Sequence, residues 1–363
     1  MTNLGSCFRL NKTRTEIINE INASAKLSQK FYSWPENEQE RFLEICTGNR
    51  GLRILYDVYF QEIFNPDTHP ERLTGLLSVI LETEVESVTY LRRESSLLKD
   101  NQNLLVLDIV VKLKDGSIVN VEMQKIGYRF PGQRACCYSS DLVLRQYGAG
   151  KKREGKFTYE DMKPVYSIIF IEKSTDKFHE MEENYIHRFT QKSDTGLDLS
   201  LLQHYVFVPL DIFRKCIVKK GGEKLTELEA WLLFLSSDDS EDIFRIIKEY
   251  PRFEELYRHI FEICQSTERM IDMFSKELSA IDHNTVNYMM DELQEKVKKA
   301  NSEKNKAEAR ADKAESTLKE KQEAALRKDE EEIKRMHEDG LSPEKISMYK
   351  NKDVAEVKRI LGV

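Results

Sequence analysis

The sequence predicts an α/β fold with a mixed sheet, and three observations carry that prediction. Two strand-like runs joined by an Asp-Gly-Ser turn occupy residues 103–124, a pattern typical of a β-hairpin. The continuous apolar run over 164–171 is typical of a strand that is covered on both faces. Segments with the helical spacing of apolar residues precede and follow these strands. The order helix, hairpin, helix, strand, strand, helices therefore predicts a sheet packed between helices.

Helical and strand patterns assign the remaining elements. Glutamates after Pro35 indicate a helix that runs to about residue 46. A strand is predicted over 204–213, with Pro209 at an edge or an end. Thr226 and Glu229 have the spacing of a capping box at the start of a helix. The spacing of apolar residues predicts further helices over 51–64, 71–82, 132–147, 225–235 and 241–274.

Length, charge and cysteine usage limit the kind of protein. The chain has 363 residues, 33% of them charged, and a formal net charge of −7. That acidity does not exclude nucleic acid, because local patches make the contact. No run of about 18 apolar residues could span a membrane, and no apolar N-terminal stretch resembles a signal peptide. Six cysteines without CxxC spacing favour reduced thiols and a cytoplasmic location over a disulfide framework.

Changes of pattern predict the domain boundaries. Charges of both signs balance over residues 291–363, with 18 Lys and Arg and 18 Asp and Glu. An alanine-rich seam over 288–336 predicts one long helix or coiled coil, and with it a possible homo-oligomer. Gly340, Ser342 and Pro343 have the residue types that end one helix and begin the next. The predicted domains are an N-terminal extension (1–50), an α/β domain (51–285), the long helix or coiled coil (286–336) and a small helix-turn-helix-like segment (337–363).

Alternation along the hairpin separates its residues into two faces. Odd-numbered positions over 105–113 and 119–123 are apolar, so they are expected to form one buried face. A three-residue loop over 115–117, with Gly116 or Ser117 at positive φ, keeps both apolar sets on the same side. The even-numbered positions then form a second face that is largely polar.

Three residues of the polar face form a candidate metal site. The predicted register puts Asp108 opposite Gln124 and diagonal to Glu122, about 7–8 Å apart at Cα. A divalent cation such as Mg²⁺ binds one or two carboxylates and takes its other ligands from water and substrate phosphates. Such an ion would stabilise charge on a scissile phosphate and activate the attacking water. The alternative is a solvent-exposed strand face, on which acidic and amide residues are ordinary.

Several motifs follow one another along the chain in an order that resembles the pattern of one protein family. They are DVYFQEIF at 57–64, LDI at 107–109, Asp-Gly at 115–116, NVEMQ at 120–124, Arg134 with Tyr138, Gly155 with Tyr159, MKPV at 162–165, and Trp231 with Phe234 and Leu235. Together they cover about residues 51–275 and resemble the Rpn family of recombination-promoting nucleases and transposases. That family belongs to the PD-(D/E)XK nuclease superfamily, and NVEMQ is the most specific part of the likeness.

The resemblance implies a restriction-endonuclease-like core and a DNA endonuclease that depends on Mg²⁺ (or Mn²⁺), with Asp108 and Glu122 as metal ligands. Gln124 takes the place of the superfamily's lysine, and its neutral amide can position water or phosphate but lacks the charge. Asp57 is a candidate accessory acid, or else a solvated or capping residue of its helix. The alternative function is a catalytically weak or inactive nuclease-like module that binds DNA or protein and assembles through its C-terminal coiled coil.

Basic residues near the hairpin are candidates for DNA contacts. Arg134 and Tyr138 share one face of the 132–147 helix and could contact phosphate, or could pack that helix onto the sheet. A basic stretch after this helix suits a phosphate backbone, or is a solvated loop. It comprises Lys151, Lys152, Arg153 and Lys156.

Overall fold

The computed structural model describes residues 4–10, 12–91, 109–126, 131–152 and 157–363. The chain forms two compact units, Met1–Tyr288 and Met289–Val363. The strands of the described part are β1 (Val88–Tyr90), β2 (Ile109–Leu113), β3 (Ile118–Ile126), β4 (Val165–Lys173), β5 (His187–Phe189) and β6 (Gln203–Pro209).

The helices of the described part are numbered in chain order. They are α1 (Leu4–Cys7), α2 (Arg14–Asn22), α3 (Ala25–Tyr32), α4 (Glu36–Cys46), α5 (Asp57–Ile63), α6 (Pro70–Leu81), α7 (Pro131–Lys152), α8 (Asp176–His179), α9 (Leu210–Lys220), α10 (Glu227–Ser236), α11 (Ser240–Glu249), α12 (Phe253–Cys264), α13 (Thr267–Glu338), α14 (Pro343–Lys350) and α15 (Val354–Leu361), with a 3₁₀ turn at Tyr159–Asp161.

The strands form one mixed sheet in the order β1-β2-β3-β4-β6-β5. The pairs β1–β2, β2–β3 and β5–β6 are antiparallel, whereas β3–β4 and β4–β6 are parallel. The chain returns from β3 to its parallel neighbour β4 through the long helix α7, as a parallel connection requires. A mixed sheet flanked by helices is the fold class that the sequence predicts, and it is confirmed.

Each face of the sheet is covered by a different layer. Odd-numbered residues of β2 and β3, such as Val111 and Val121, lie in the main core with the helices of residues 4–81 and 210–274. On the other face, Val110 and Ile118 pack against Tyr138 and Leu142 of α7. The predicted division into odd and even faces is therefore confirmed, and the even face is buried at Val110 and along β3 from Ile118 to Gln124, while Lys112 is exposed.

The first fifty residues belong to the main core. Helices α2 to α4 place Ile17, Phe31 and Phe42 in it, each at most 1% exposed. The ring of Phe42 makes an edge contact with Phe274 of α13, with the ring centroids 5.6 Å apart. The weak hydropathy pattern of 1–50 conceals this packing because each of the short helices α2 to α4 buries only two to four apolar side chains.

The helix predicted over 241–274 is three helices, α11, α12 and the start of α13, and three other predicted element boundaries are wrong. Residues 51–56 are not helical, since α5 begins at Asp57; the backbone N–H of Gly51 instead donates to the carbonyl oxygen of Asp238 (2.8 Å). The strand predicted over 204–213 ends at Pro209, which has no backbone N–H to donate to a neighbouring strand. Helix α9 begins directly after it, at Leu210. The helix predicted to end at 147 continues to Lys152, with Gly150 lying against the ring of Phe157.

The β2–β3 turn differs from the prediction by one residue. Ile109 pairs with Val121 and Lys112 with Ile118, and Leu113 N–H donates to the Ser117 carbonyl oxygen (2.8 Å). The loop is therefore 114–116 rather than 115–117, and paired residue numbers sum to 230 rather than 232. Gly116 takes the positive φ (93°), as one of the two predicted candidates.

Gly116→Ala is expected to lower the free energy of unfolding by about 1–2 kcal/mol, because an L side chain is strained at positive φ. An added Cβ would also lie 3.1 Å from Cγ of Lys163. Gly132→Ala is the matched control, since its added Cβ meets nothing within 4 Å in the first turn of α7. Chemical denaturation of both variants tests this; equal stability would contradict the strain at Gly116.

The second unit has a small core of its own. Ile333 at the end of α13, Ile346 in α14 and Val357 in α15 are fully buried against one another. Gly340 has a positive φ (92°) between α13 and α14, and Pro343 is the first residue of α14. The end of α13 and the start of α14 therefore lie where the sequence predicts them.

Candidate active site

The polar residues of β3 lie buried beneath α7. Asn120, Glu122 and Gln124 are 0%, 3% and 6% exposed. Their alternation in β3 turns them away from the main core, towards the face on which α7 packs. The alternative of a solvent-exposed strand face is therefore wrong for these three residues. A buried carboxylate needs charged or hydrogen-bonding partners to offset the loss of water.

Two such partners converge on one oxygen of Glu122. Gln124 Nε2 donates to Glu122 Oε1 at 2.9 Å. Arg134 Nε, from the first turn of α7, donates to the same Oε1 at 3.1 Å. These contacts join the two residues of the E-x-Q motif to the arginine of the R-x-x-x-Y motif. Sequence reasoning named all three but did not predict that they meet at one atom.

Several polar atoms near Glu122 have no hydrogen-bond partner within the described residues. Gln124 Oε1 is one, and both side-chain polar atoms of Asn120 are others. Ser167 of β4 pairs with Asn120 across the parallel ladder, and its Oγ is buried without a partner as well. Buried polar atoms without a partner are rare in proteins, and such atoms often belong to sites that bind a ligand, an ion or water.

Arg134 and Tyr138 occupy adjacent turns of α7. The guanidinium of Arg134 lies over the ring of Tyr138, with Cζ 4.8 Å from the ring centroid. The Tyr138 ring is 3% exposed and packs with Val110 and Ile118. The Arg134 side chain is 31% exposed. Packing onto the sheet thus describes Tyr138, while Arg134 extends from the buried carboxylate towards solvent.

The other predicted site residues are only partly described. Asp57 is the first residue of α5, and Lys151 and Lys152 are the last two residues of α7 rather than a loop. The side chains of these three residues lie outside the described part of the structure. Asp108, Arg153 and Lys156 also lie outside the described residues.

A second set of buried charges, which the sequence analysis did not single out, lies on the opposite face of the sheet. Glu172, near the end of β4, accepts a hydrogen bond from Arg53 Nη1 (3.0 Å). Lys125 near the end of β3 places its ammonium 5.1 Å from the centroid of the Tyr56 ring, and burial lowers the pKa of this lysine. Its position directly after the buried Gln124 is the signal that could have placed it on the other face.

Arg41 and Glu277 form the most deeply buried ion pair of this set. Arg41 Nη2 of α4 donates to Glu277 Oε1 of α13 at 3.0 Å, and the Glu277 side chain is 0% exposed. Burial raises the pKa of Glu277, against the opposing effect of Arg41. The pair joins the N-terminal helices to α13, so its role is to stabilise the first unit.

The described part of the chain lacks two further features. It contains no group of three or more His, Cys, Asp or Glu residues that could hold a metal ion. None of its helices is both long and apolar enough to cross a membrane.

The mixed sheet, with a buried Glu-x-Gln on a central strand and an arginine-bearing helix above it, defines a protein of the PD-(D/E)XK nuclease class. The family model described as PD-(D/E)XK nuclease family transposase matches residues 54–288, and the chain belongs to this family. Comparison with curated proteins found no match. Comparison with solved structures found none either.

Proposed function

We propose that the protein is a metal-dependent DNA endonuclease of the Rpn type, which hydrolyses phosphodiester bonds and promotes recombination. The observation that carries the proposal is the buried carboxylate of Glu122, oriented by Gln124 and Arg134 in a chain of a nuclease family. This carboxylate is held by two donors and lies beside Gln124 Oε1, a buried acceptor without a partner among the described residues.

The donor atoms present fit a divalent cation. Glu122 offers a buried carboxylate, and Gln124 Oε1 is a buried amide oxygen without a partner among the described residues. Hard oxygen donors of this kind suit Mg²⁺ or Mn²⁺. We propose Asp108 and Glu122 as the metal ligands. When bound, the ion would supply positive charge that offsets the charge developing on a scissile phosphate.

The observed register supports a role for Asp108. Ile109 pairs with Val121, and the residue before Ile109 is Asp108, while the residue after Val121 is Glu122. The two acids are thus the sequence neighbours of an observed pair, and Asp108 itself lies outside the described residues. We therefore propose that both carboxylates face the same ion.

The remaining residues of the proposed site act on water and phosphate. Gln124 is held by its donation to Glu122, so its Oε1 can accept a hydrogen bond from a water and orient it. Arg134, with its side chain 31% exposed, can donate to a phosphate oxygen. Lys151, Lys152, Arg153 and Lys156 would bind the DNA backbone, with Tyr138 supporting Arg134 and Asp57 as an accessory acid.

Nicking of supercoiled plasmid with and without Mg²⁺ tests the proposal. Wild-type protein is expected to nick only with the metal, and Asp108→Ala is expected to lose that activity while remaining folded. Equal nicking by the variant would contradict the assignment. DNA binding without Mg²⁺, combined with no cleavage under Mg²⁺ or Mn²⁺, would instead indicate the non-catalytic binding module.

The exposed seam of α13 supports a second element of the proposal, assembly with another copy of the chain. Leu293, Val297 and Leu318 are 61%, 57% and 58% exposed at coiled-coil spacing. Light scattering of the full chain is expected to give more than one chain per particle, and Lys at all three positions to give one. The control carries Lys at Met348 and Tyr349, which are exposed on α14. A wild-type particle of one chain would contradict assembly.

A further inference from the structure

One oxygen of the Glu122 carboxylate accepts two hydrogen bonds, and one of the two donors is positively charged. Glu122 Oε1 accepts from Gln124 Nε2 (2.9 Å) and from Arg134 Nε (3.1 Å). The amide of Gln124 is neutral. Of these two donors, only the guanidinium of Arg134 offsets the negative charge of the buried carboxylate. A divalent cation that approaches the same oxygen would meet a positive charge already in contact with it.

Coulomb repulsion makes joint occupancy unfavourable. Two like charges within about 4 Å repel strongly even at the effective dielectric constant of a protein surface. Either the cation stays away, or the guanidinium withdraws from Oε1. The Arg134 side chain is 31% exposed, so it has a direct way into solvent.

The surroundings of Arg134 allow that withdrawal. The guanidinium already lies over the ring of Tyr138, which is fixed in the packing between α7 and the sheet. A cation over an aromatic face keeps a favourable interaction when it gives up a carboxylate. The side chain can therefore swing outwards while its attachment at the first turn of α7 stays in place.

We propose that Arg134 is the resident counter-ion of Glu122 and competes with the divalent cation for this carboxylate. Uptake of the metal releases the guanidinium, which then offers to a phosphate the positive charge that a glutamine at position 124 cannot. Because the coupling is reciprocal, a phosphate that holds Arg134 also strengthens metal binding. This inference rests on the proposed function, since it assumes that Glu122 is a metal ligand.

Titration of Mn²⁺ into the full-length protein without DNA tests the competition, with free Mn²⁺ followed by electron paramagnetic resonance. Arg134→Gln is expected to bind Mn²⁺ at least about tenfold more tightly than wild type, because a competing positive charge is removed. Arg134→Lys keeps the charge and is expected to stay near wild type. Weaker or unchanged binding by Arg134→Gln would overturn the inference.

A matched arginine lies three turns further along the same helix. Arg145 pairs with the buried Asp141 at 2.7 Å, also on α7. Arg145→Gln is expected to change Mn²⁺ affinity less than twofold, and an effect equal to that of Arg134→Gln would overturn a specific role. Glu122→Gln combined with Arg134→Gln should abolish the tight binding; retained tight binding would place the ion elsewhere and overturn the inference.

Failure here is distinguishable from failure of the proposed function. Mn²⁺ binding is measured without substrate, so a chain that never cleaves DNA can still show the tenfold difference between wild type and Arg134→Gln. Conversely, Mg²⁺-dependent nicking by wild type together with equal Mn²⁺ affinities would overturn only the competition. If neither the wild type nor Arg134→Gln binds Mn²⁺ at millimolar concentration, the proposed competition between Arg134 and the cation is overturned.

Discussion

Glu122→Gln is expected to reduce Mg²⁺-dependent nicking by about 10³-fold or more. Loss of a charged metal ligand removes several kcal/mol of transition-state stabilisation, and about 4 kcal/mol corresponds to that factor. The substituted amide has nearly the same shape, and its carbonyl oxygen can still accept from Gln124 and Arg134. The loss of activity should therefore occur without unfolding, which circular dichroism and initial nicking rates measure together.

Glu172→Gln is the matched control for this prediction. Glu172 is also a buried glutamate near the carboxyl end of a central strand, and it too pairs with an arginine, Arg53. It lies on the opposite face of the sheet from Glu122, so its substitution should leave the nicking rate within about threefold of wild type while it lowers stability. Similar losses in the two variants would show that burial of charge, rather than a role at the metal, explains the effect.

Arg41→Ala should lower the free energy of unfolding by about 3–5 kcal/mol, the largest stability effect expected in this chain. The substitution leaves Glu277, whose side chain is 0% exposed, without its ion-pair partner. It also removes a guanidinium that lies 5.1 Å from the centroid of the Phe274 ring. Urea unfolding monitored by tryptophan fluorescence measures the change.

The size of this loss should depend on pH. Burial raises the pKa of Glu277 in the folded protein, and removal of Arg41 raises it further. A carboxyl group with a raised pKa in the folded state binds its proton more tightly there, so stability falls as pH rises above the unfolded value of about 4.3. The loss of unfolding free energy in Arg41→Ala should therefore become smaller as the pH falls towards 4–5. A loss that grows on acidification would contradict the explanation by the buried charge of Glu277.

An exposed ion pair provides the comparison for Arg41. Arg14 and Glu40 contact each other on the surface, with side-chain exposures of 57% and 48%. Exposed pairs contribute little to stability because solvent screens them. Arg14→Ala should thus leave the unfolding midpoint nearly unchanged, and a loss comparable with that of Arg41→Ala would argue against burial as the cause.

Local sequence patterns were sufficient for the elements that depend on local chemistry. The capping box of Thr226 and Glu229 begins α10 as predicted. Gly340 follows the end of α13, because glycine adopts positive φ readily. Pro343 begins α14, because its missing N–H is tolerated in the first turn of a helix. The odd apolar positions of β2 and β3 face the main core because a strand alternates its side chains whatever packs on it.

Loop placement was decided by interactions that the pattern does not contain. Loops over 114–116 and over 115–117 both keep odd positions on one side, so hydropathy alone cannot distinguish them. The pairing of Leu113 with Ser117, together with Gly116 at positive φ, selects the first. The one-residue difference moves the partner of each β2 residue by two positions along β3.

By itself, the sequence determined the α/β class, the hairpin, the polar set on β3 and the family resemblance, since periodicity and residue chemistry are local properties. Only the tertiary structure decided that Glu122 and Gln124 are buried, that Arg134 reaches the same carboxylate oxygen, and that residues 4–46 complete the core. The physical reason is that burial depends on which layer covers a face. In this protein α7 covers the polar face of β3, through contacts between residues that are separated in the sequence.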